Sequence, residues 1–204
     1  MPDPVGISKP KQLLVEGKDG ERFFIALLKR LDVQDMQIQN FGAVSELSPF
    51  LRTLKLIPGF GAVASIGIIR DAEANPTSAF ESVCGGLRGA ELPVPSSPEG
   101  SAGTRPRTRI LILPDSSTVG MLETLCLRSV VSDPAMRCVH EYLACLEQRL
   151  ATDQRPRNND KASIQAFLAS RRDLKRLLGE AADAGIWPWE DAAFDHVKQF
   201  LQRL

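Results

Sequence analysis

The sequence lacks an excess of charge of either sign. Its 204 residues include 25 Lys and Arg and 25 Asp and Glu, so the formal net charge is zero. Proteins that bind nucleic acid through a broad basic surface usually carry an excess of Lys and Arg. The composition therefore gives no support to binding of that kind, although short basic segments could still contact phosphate groups.

Histidine and closely spaced cysteine are also scarce. The chain has two histidines, and none of its four cysteines is followed by another at CxxC spacing. Structural zinc sites combine such cysteine pairs with further Cys or His ligands, so a zinc site is not expected. The sequence instead favours free, buried thiols in a reducing compartment. The cysteines are Cys84, Cys126, Cys138 and Cys145.

Long apolar segments are missing as well. No run approaches the roughly 20 apolar residues that a membrane-spanning helix needs, and residues 1–10 lack the apolar centre of a signal peptide. We therefore expect a cytoplasmic protein that does not enter a membrane. Hydrophobic residues make up 43% of the chain, which is enough for one sizeable core.

Apolar periodicity predicts an α/β fold. Short buried runs alternate with amphipathic segments, and this alternation is typical of a parallel sheet flanked by helices. We expect an α/β domain over residues 1–131, with a flexible Gly- and Pro-rich loop at about 89–107. A helical extension over 132–204 would pack on it. Strands are predicted at 11–15, 36–41, 62–69 and 109–113, and helices at 19–31, 45–56, 76–87, 121–131, 135–150, 161–178 and 189–204.

Two of the predicted strands end in acidic residues. Glu16 follows the first strand, and Asp71 and Glu73 follow the third. The carboxyl ends of parallel strands meet at one edge of a sheet, where sites form. In extended chain Asp71 and Glu73 would share a face, because they are two residues apart. One such strand alone would favour a capping role, but two favour a site for Mg²⁺ or Mn²⁺, which prefer oxygen ligands.

These segments resemble the signature of Toprim domains. That signature is a glutamate after a first apolar strand and a pair of acids after a later one, as in LLVEGKD at 13–19 and IGIIRDAE at 66–73. The resemblance implies a Toprim (Rossmann-like) parallel sheet flanked by helices. Toprim domains occur in topoisomerases, primases and several kinds of nuclease.

The rest of the chain is similar to short, standalone bacterial Toprim-like proteins of unknown function. These are related to the Toprim domains of the OLD (overcoming lysogenization defect) nucleases. The resemblance covers nearly the whole chain. The segments that carry it are LPD at 113–115, GMLE at 120–123, KA at 161–162 and AFLA at 166–169.

The resemblance assigns expected roles to two catalytic residues. Glu16 would act as a metal ligand or general acid–base. Lys161 would stabilise negative charge in the transition state. A lysine at the start of a helix is, however, more often a solvated surface group.

The resemblance also implies the other metal ligands. Asp71 and Glu73 would form the paired acids, and Glu123 would help to bind a second ion. Asp19 matches a further acidic position, but it could equally be the N-cap of the first helix. Glu123 could likewise be an acid favoured by a helix N-terminus. Two departures stand out: Glu73 is one methylene longer than aspartate, and Gly20 lies where related chains often carry an acid.

The implied function is a Mg²⁺- or Mn²⁺-dependent phosphodiester hydrolase that acts on DNA or RNA, in mobile-element or phage defence. Hydrolysis is favoured over strand transfer because the single tyrosine, Tyr142, lies in an apolar helical pattern. One alternative is a catalytically degenerate Toprim-like module that binds nucleic acid or a protein partner such as an ATPase. Another is a phosphotransfer enzyme that acts on a small nucleotide.

Overall fold

A five-stranded sheet forms the centre of the fold. The computed structural model describes residues 2–98, 100–175 and 177–204. The strands are β1 (Lys11–Val15), β2 (Met36–Asn40), β3 (Ser65–Asp71), β4 (Ser101–Ala102) and β5 (Arg107–Leu113). Their order in the sheet is β2-β1-β3-β5-β4, and all neighbours are parallel except β4 and β5. The α/β prediction is therefore confirmed, with a two-residue antiparallel strand added at one edge.

Helices cover both faces of the sheet. The helices are α1 (Gly17–Arg30), α2 (Leu47–Leu56), α3 (Pro76–Gly89), α4 (Leu122–Ser129), α5 (Pro134–Arg149), α6 (Asn159–Ala169), α7 (Leu178–Asp183) and α8 (Asp195–Gln202). Two of them, α2 and α3, pack on one face, while α1 and α4 to α8 contribute to the core on the other. The chain thus forms three layers.

The central strands are apolar on both faces because both faces are covered. In β1, Leu13 and Val15 point to the face that carries α1, and Leu14 points to the face that carries α2 and α3. The same alternation occurs along β3 and β5. Continuous apolar runs rather than strict alternation are typical of parallel strands that are buried in this way.

Aromatic contacts join the C-terminal helices to the rest of the core. The ring of Phe23 in α1 packs edge-on against Trp189, with centroids 5.2 Å apart. Phe167 in α6 stacks on Trp187 at 6.0 Å. Residues after position 131 therefore share one hydrophobic cluster with β1 and α1.

Several element boundaries differ from the prediction. Residues 44–46 form a 3₁₀ turn, so α2 begins at Leu47 rather than at Ser45, and residues 60–62 form another, so β3 begins at Ser65. Near the C-terminus, α8 is preceded by a further 3₁₀ turn at 192–194.

The largest difference falls in the helix predicted over 161–178. This helix ends at Ala169, and α7 begins only at Leu178. Part of this segment, residue 176, lies outside the described residues. A contact with α1 accounts for the start of α7, as the site shows below.

The cysteines are free, but two of them are not buried. Cys84 and Cys126 are buried as expected, whereas Cys138 and Cys145 are exposed on α5. The expectation was wrong for this pair because α5 buries just Met136 of its first turn and, further along, Val139. Most of the helical pattern there faces solvent.

Within the three described ranges, no helix has both the length and the apolar character needed to cross a membrane.

Candidate functional site

A small cavity lies at the carboxyl edge of the sheet, between β1 and β3. The chain leaves β1 for β2 on one side and returns to β3 on the other, so this is the point where the strand order changes direction. Open α/β sheets bind their ligands at such points. The cavity has a volume of about 120 Å³. Four of its lining residues are acidic, namely Glu16, Asp19, Asp71 and Glu123.

Glu16 lies directly after β1 and turns toward the cavity with α1. Gly17 follows it at φ 69°, a left-handed conformation that glycine adopts without strain and that starts the helix immediately after the strand. Glu16 is half-buried, and this burial raises the pKa of its carboxyl group. The positive charge of Arg70 partly opposes the shift, and the negative charge of Glu73 adds to it.

Asp71 is the last residue of β3 and is held by α4. The backbone N–H of Leu122 donates a hydrogen bond of 2.9 Å to its Oδ1 atom. Burial raises the pKa of Asp71 to about 7, and repulsion from Glu123 and Glu16 contributes to the shift. A carboxyl group whose pKa is shifted by burial and by neighbouring charges, in a cleft beside other acids, is typical of a functional site.

Glu123 lines the cavity, and Lys161 lies beside it, outside the lining. Glu123 lies in the first turn of α4, and its Oε1 atom is 4.0 Å from Nζ of Lys161. The Glu123 side chain is 17% exposed and that of Lys161 is 61% exposed. Burial raises the pKa of Glu123, and Lys161 opposes that shift. The lysine can therefore reach the cavity while most of its side chain remains in solvent.

A side-chain contact holds the start of α6 beside α4, and an N-cap fixes where α6 begins. The hydroxyl of Thr124 donates a hydrogen bond to Asp160. Asn158 caps α6, because its Oδ1 atom accepts the backbone N–H of Lys161 at 2.9 Å. These contacts bring Lys161 to Glu123, although 38 positions separate the two in the sequence (161 − 123).

Glu73 does not share the face of Asp71, so the extended geometry expected from the sequence is wrong at this residue. β3 ends at Asp71, and Glu73 has a left-handed φ of 51°. Its backbone forms an isolated bridge with Gly120, with hydrogen bonds of 2.7 and 2.9 Å. The Glu73 side chain is exposed and is not part of the cavity lining. Its charge nevertheless reaches Glu16.

Asp19 caps a helix, but not the one expected. The cap position of α1 is Glu16, and Asp19 lies in the first turn. Its carboxylate instead accepts the backbone N–H groups of Leu178 at 3.1 Å and Gly179 at 2.7 Å, at the start of α7. Both carboxylate oxygens of Asp19 therefore accept hydrogen bonds, and α7 begins at the residues that donate them.

Arg70 was not singled out by the sequence. It lines the cavity, and among the charges near Glu16 it has the largest effect on the pKa of that residue. The signal that could have found it is its position: it precedes Asp71 on a strand whose carboxyl end was expected to carry the site.

The donor set fits a hard divalent cation, since Mg²⁺ and Mn²⁺ prefer carboxylate oxygens. In the described part of the chain, no three His, Cys, Asp or Glu side chains converge closely enough to hold a metal ion as they stand. Neighbouring carboxylates repel one another, so an ion would have to draw Glu16, Asp71 and Glu123 together.

Fold and cavity define an α/β protein with an acidic site at the switch point of a mainly parallel sheet. The chain belongs to the family described as "Protein of unknown function (DUF3226)", whose sequence profile matches residues 10–204. No curated protein matches it. Among solved structures it is similar to the C-terminal region of the Xanthomonas campestris pv. campestris OLD protein. The identity is 13% and the TM-score 0.47, over 96% of this chain and 95% of the other.

Proposed function

We propose that the cavity binds Mg²⁺ or Mn²⁺ and that the protein hydrolyses phosphodiester bonds in DNA or RNA, as an OLD-like Toprim nuclease. The observation that carries the proposal is the meeting of Glu16, Asp71 and Glu123 in one cavity at the switch point of the sheet. The Toprim-like sequence signature supports the same function, and a role in mobile-element or phage defence would fit it.

Each residue has a distinct part in this proposal. Asp71 would offer its second oxygen to the ion, because Oδ1 is already held by Leu122. Glu16 and Glu123 would complete the ligand set from either side. When bound, the ion supplies Lewis-acid stabilisation of negative charge on the phosphate oxygens. Lys161, beside Glu123, would place a further positive charge at the mouth of the cavity.

Asp19 and Glu73 have smaller parts. Both oxygens of Asp19 accept backbone N–H groups of α7, so this residue would mainly position the wall of the cavity. Glu73 is exposed and would have to swing toward Glu16 to bind an ion. We therefore propose Glu16, Asp71 and Glu123 as the principal ligands.

The cavity is too small to enclose a nucleotide. Pockets that enclose a whole small molecule measure roughly 300–1,000 Å³. A volume of about 120 Å³ has room for ions and a phosphate group but not for a nucleoside. The base would remain outside, so the site would contact the phosphate group of its substrate rather than the base.

Hydrolysis can be tested on the full chain with Mn²⁺ and three substrates: plasmid, single-stranded DNA and RNA. We expect cleavage of at least one, and its loss in Glu16→Gln, Asp71→Asn and Glu123→Gln. Glu141→Gln is the matched control, because Glu141 is an exposed glutamate on α5. Activity that survives all three cavity substitutions, or no cleavage by the wild-type protein, would contradict the proposal.

The alternative is a catalytically inactive module that binds nucleic acid or a protein partner such as an ATPase. The exposed position of Glu73 favours it, because one of the expected ligands then lies outside the cavity. Calorimetry separates the two functions. The inactive module would bind nucleic acid or partner equally well in wild type and Asp71→Asn and would show no Mn²⁺ binding that depends on Asp71.

A further inference from the structure

Arg70 is a basic residue in the lining of the acidic cavity. It is the penultimate residue of β3, and the pairing of Val15 with Ile69 makes it the cross-strand neighbour of Glu16 as the register continues. It is half-buried and lines the cavity with Glu16 and Asp71. A positive charge at this point weakens the attraction of the cavity for a divalent cation. Metal binding alone therefore does not explain why an arginine is present.

The guanidinium group has more donors than the protein uses. An arginine has five N–H donors arranged in a planar fork. The Nη1 atom donates one hydrogen bond of 3.1 Å to the backbone carbonyl of Ala79 in α3. Across residues 2–98, 100–175 and 177–204, Arg70 makes no other hydrogen bond and no ion pair within 4.0 Å, and its Nε atom is buried without a partner. Buried donors are normally satisfied, so the unpartnered Nε atom is unusual. The donors left for a ligand in the cavity are the remaining N–H groups of Nη1 and Nη2, because the side chain as a whole is half-buried.

A phosphate group would account both for the positive charge in the acidic cavity and for the unused N–H donors of Arg70. Its oxygens accept hydrogen bonds from the arginine fork, commonly two at once, and its negative charge is attracted by the guanidinium and by a bound cation together. The bond to Ala79 fixes one end of the fork to α3 and so limits the movement of the side chain.

We propose that Arg70 binds a non-bridging oxygen of the phosphate on which the site acts. This inference rests on the proposed function and extends it, since it assigns substrate binding to a residue that is not a metal ligand. Arg70 would favour binding of an anion beside the metal site. It would therefore contribute to the affinity for phosphate and not to the affinity for the metal ion. The simpler explanation is that Arg70 only offsets the negative charge of Glu16.

Three measurements on Arg70→Gln separate these explanations: the affinity for inorganic phosphate with Mg²⁺, the KM and kcat of hydrolysis, and the affinity for Mn²⁺ without phosphate. We expect phosphate affinity to fall at least tenfold and KM to rise by a similar factor. Mn²⁺ affinity should stay equal or increase, because a nearby positive charge has been removed. Arg70→Lys keeps the charge but not the fork and should give an intermediate KM.

The matched control is Arg52→Gln. Arg52 also donates to a backbone carbonyl of α3, from Nε to Gly89 at 2.9 Å, but it lies outside the cavity lining. It should leave all three quantities unchanged. Circular dichroism and thermal melting check the folding of each variant. If Arg70→Gln fails to fold, Arg70→Lys decides: phosphate affinity equal to wild type would overturn the proposal.

The outcomes also separate this inference from the proposed function. Unchanged phosphate affinity in a hydrolytically active Arg70→Gln protein overturns the inference alone. Parallel losses of Mn²⁺ and phosphate affinity would show that Arg70 supports the acids and would overturn it as well. Phosphate binding that depends on Arg70 in a protein that cleaves nothing would uphold the inference and contradict the proposed hydrolysis.

Discussion

The backbone N–H of Leu122 donates a hydrogen bond of 2.9 Å to Oδ1 of Asp71 and so ties the first turn of α4 to the end of β3. The positive end of the helix dipole thereby faces the carboxylate, which favours its charged form. Burial and the neighbouring Glu123 and Glu16 act in the opposite direction and prevail, because the pKa of Asp71 is raised to about 7. This balance makes Asp71 the most informative residue of the site.

Asp71→Asn should change how stability depends on pH. The pKa of Asp71 is about 7 in the folded chain and 3.8 as its ordinary value, so between about pH 4 and pH 7 the folded state binds more protons than the unfolded state. The free energy of unfolding therefore falls as pH rises through this window. Asparagine stays neutral and still accepts from Leu122. Without divalent ions, we expect the variant to be more stable at pH 8 by about 1–3 kcal/mol and nearly equal at pH 4.

Urea unfolding at pH 4, 6 and 8 measures this effect. Asp173→Asn, at an exposed position, serves as the control and should follow the wild-type profile. An Asp71→Asn protein that is less stable than wild type at pH 8 would show that the carboxylate is stabilising there, contrary to the raised pKa.

Mn²⁺ binding should become tighter as pH rises from 6 to 8. A metal ion binds the ionised carboxylate, so below the pKa of about 7 the ion must displace a proton from Asp71. For one released proton the affinity changes by up to about tenfold per pH unit. Calorimetry in two buffers with different ionisation enthalpies counts the protons released. A Mn²⁺ affinity that is constant from pH 6 to 8 would show that Asp71 does not bind the metal ion.

Lys161→Ala should lower kcat without destabilising the fold. The side chain is 61% exposed and its Nζ atom is 4.0 Å from Glu123, so little packing is lost. Removal of one group that stabilises transition-state charge typically costs about 10²-fold in kcat. Lys29→Ala, an exposed lysine in the last turn of α1, is the control. Equal kcat values for the two variants would show that Lys161 is a solvated surface residue without a catalytic role.

Asp19→Ala should reduce stability rather than metal affinity. Its carboxylate accepts the N–H groups of Leu178 and Gly179, and loss of a helix cap costs about 0.5–2 kcal/mol. Asp19→Asn retains one acceptor and should lose less. A tenfold fall in Mn²⁺ affinity with unchanged unfolding energy would instead make Asp19 a ligand.

Much of the fold could be predicted because its strands are buried apolar runs. The β1 strand coincides with its predicted residues, and β3 and β5 were displaced by at most three residues. The placing of Glu16 and Asp71 at one edge follows directly from that sheet. Long-range contacts could not be predicted. The break between α6 and α7 involves Asp19, which is 159 residues from Leu178.

Local backbone geometry explains the other failures. The sequence does not reveal that Glu73 adopts a left-handed φ and pairs with Gly120. Nor does it show that Arg70, within the described residues, donates a single hydrogen bond, to Ala79 in α3, and leaves its Nε atom without a partner. The Toprim resemblance stays a prediction, and so do the catalytic and metal-binding roles that it implies for Glu16, Asp19, Asp71, Glu73, Glu123 and Lys161.

The most direct test of the metal site is anomalous diffraction from crystals of the protein grown with Mn²⁺. We expect an anomalous peak in the cavity between β1 and β3, with carboxylate oxygens of Asp71 and Glu123 at roughly 2.0–2.3 Å and Glu16 either bound or one water away. A cavity that shows no peak at saturating Mn²⁺, or a Mn²⁺ ion bound elsewhere while these three acids stay apart, would contradict the account.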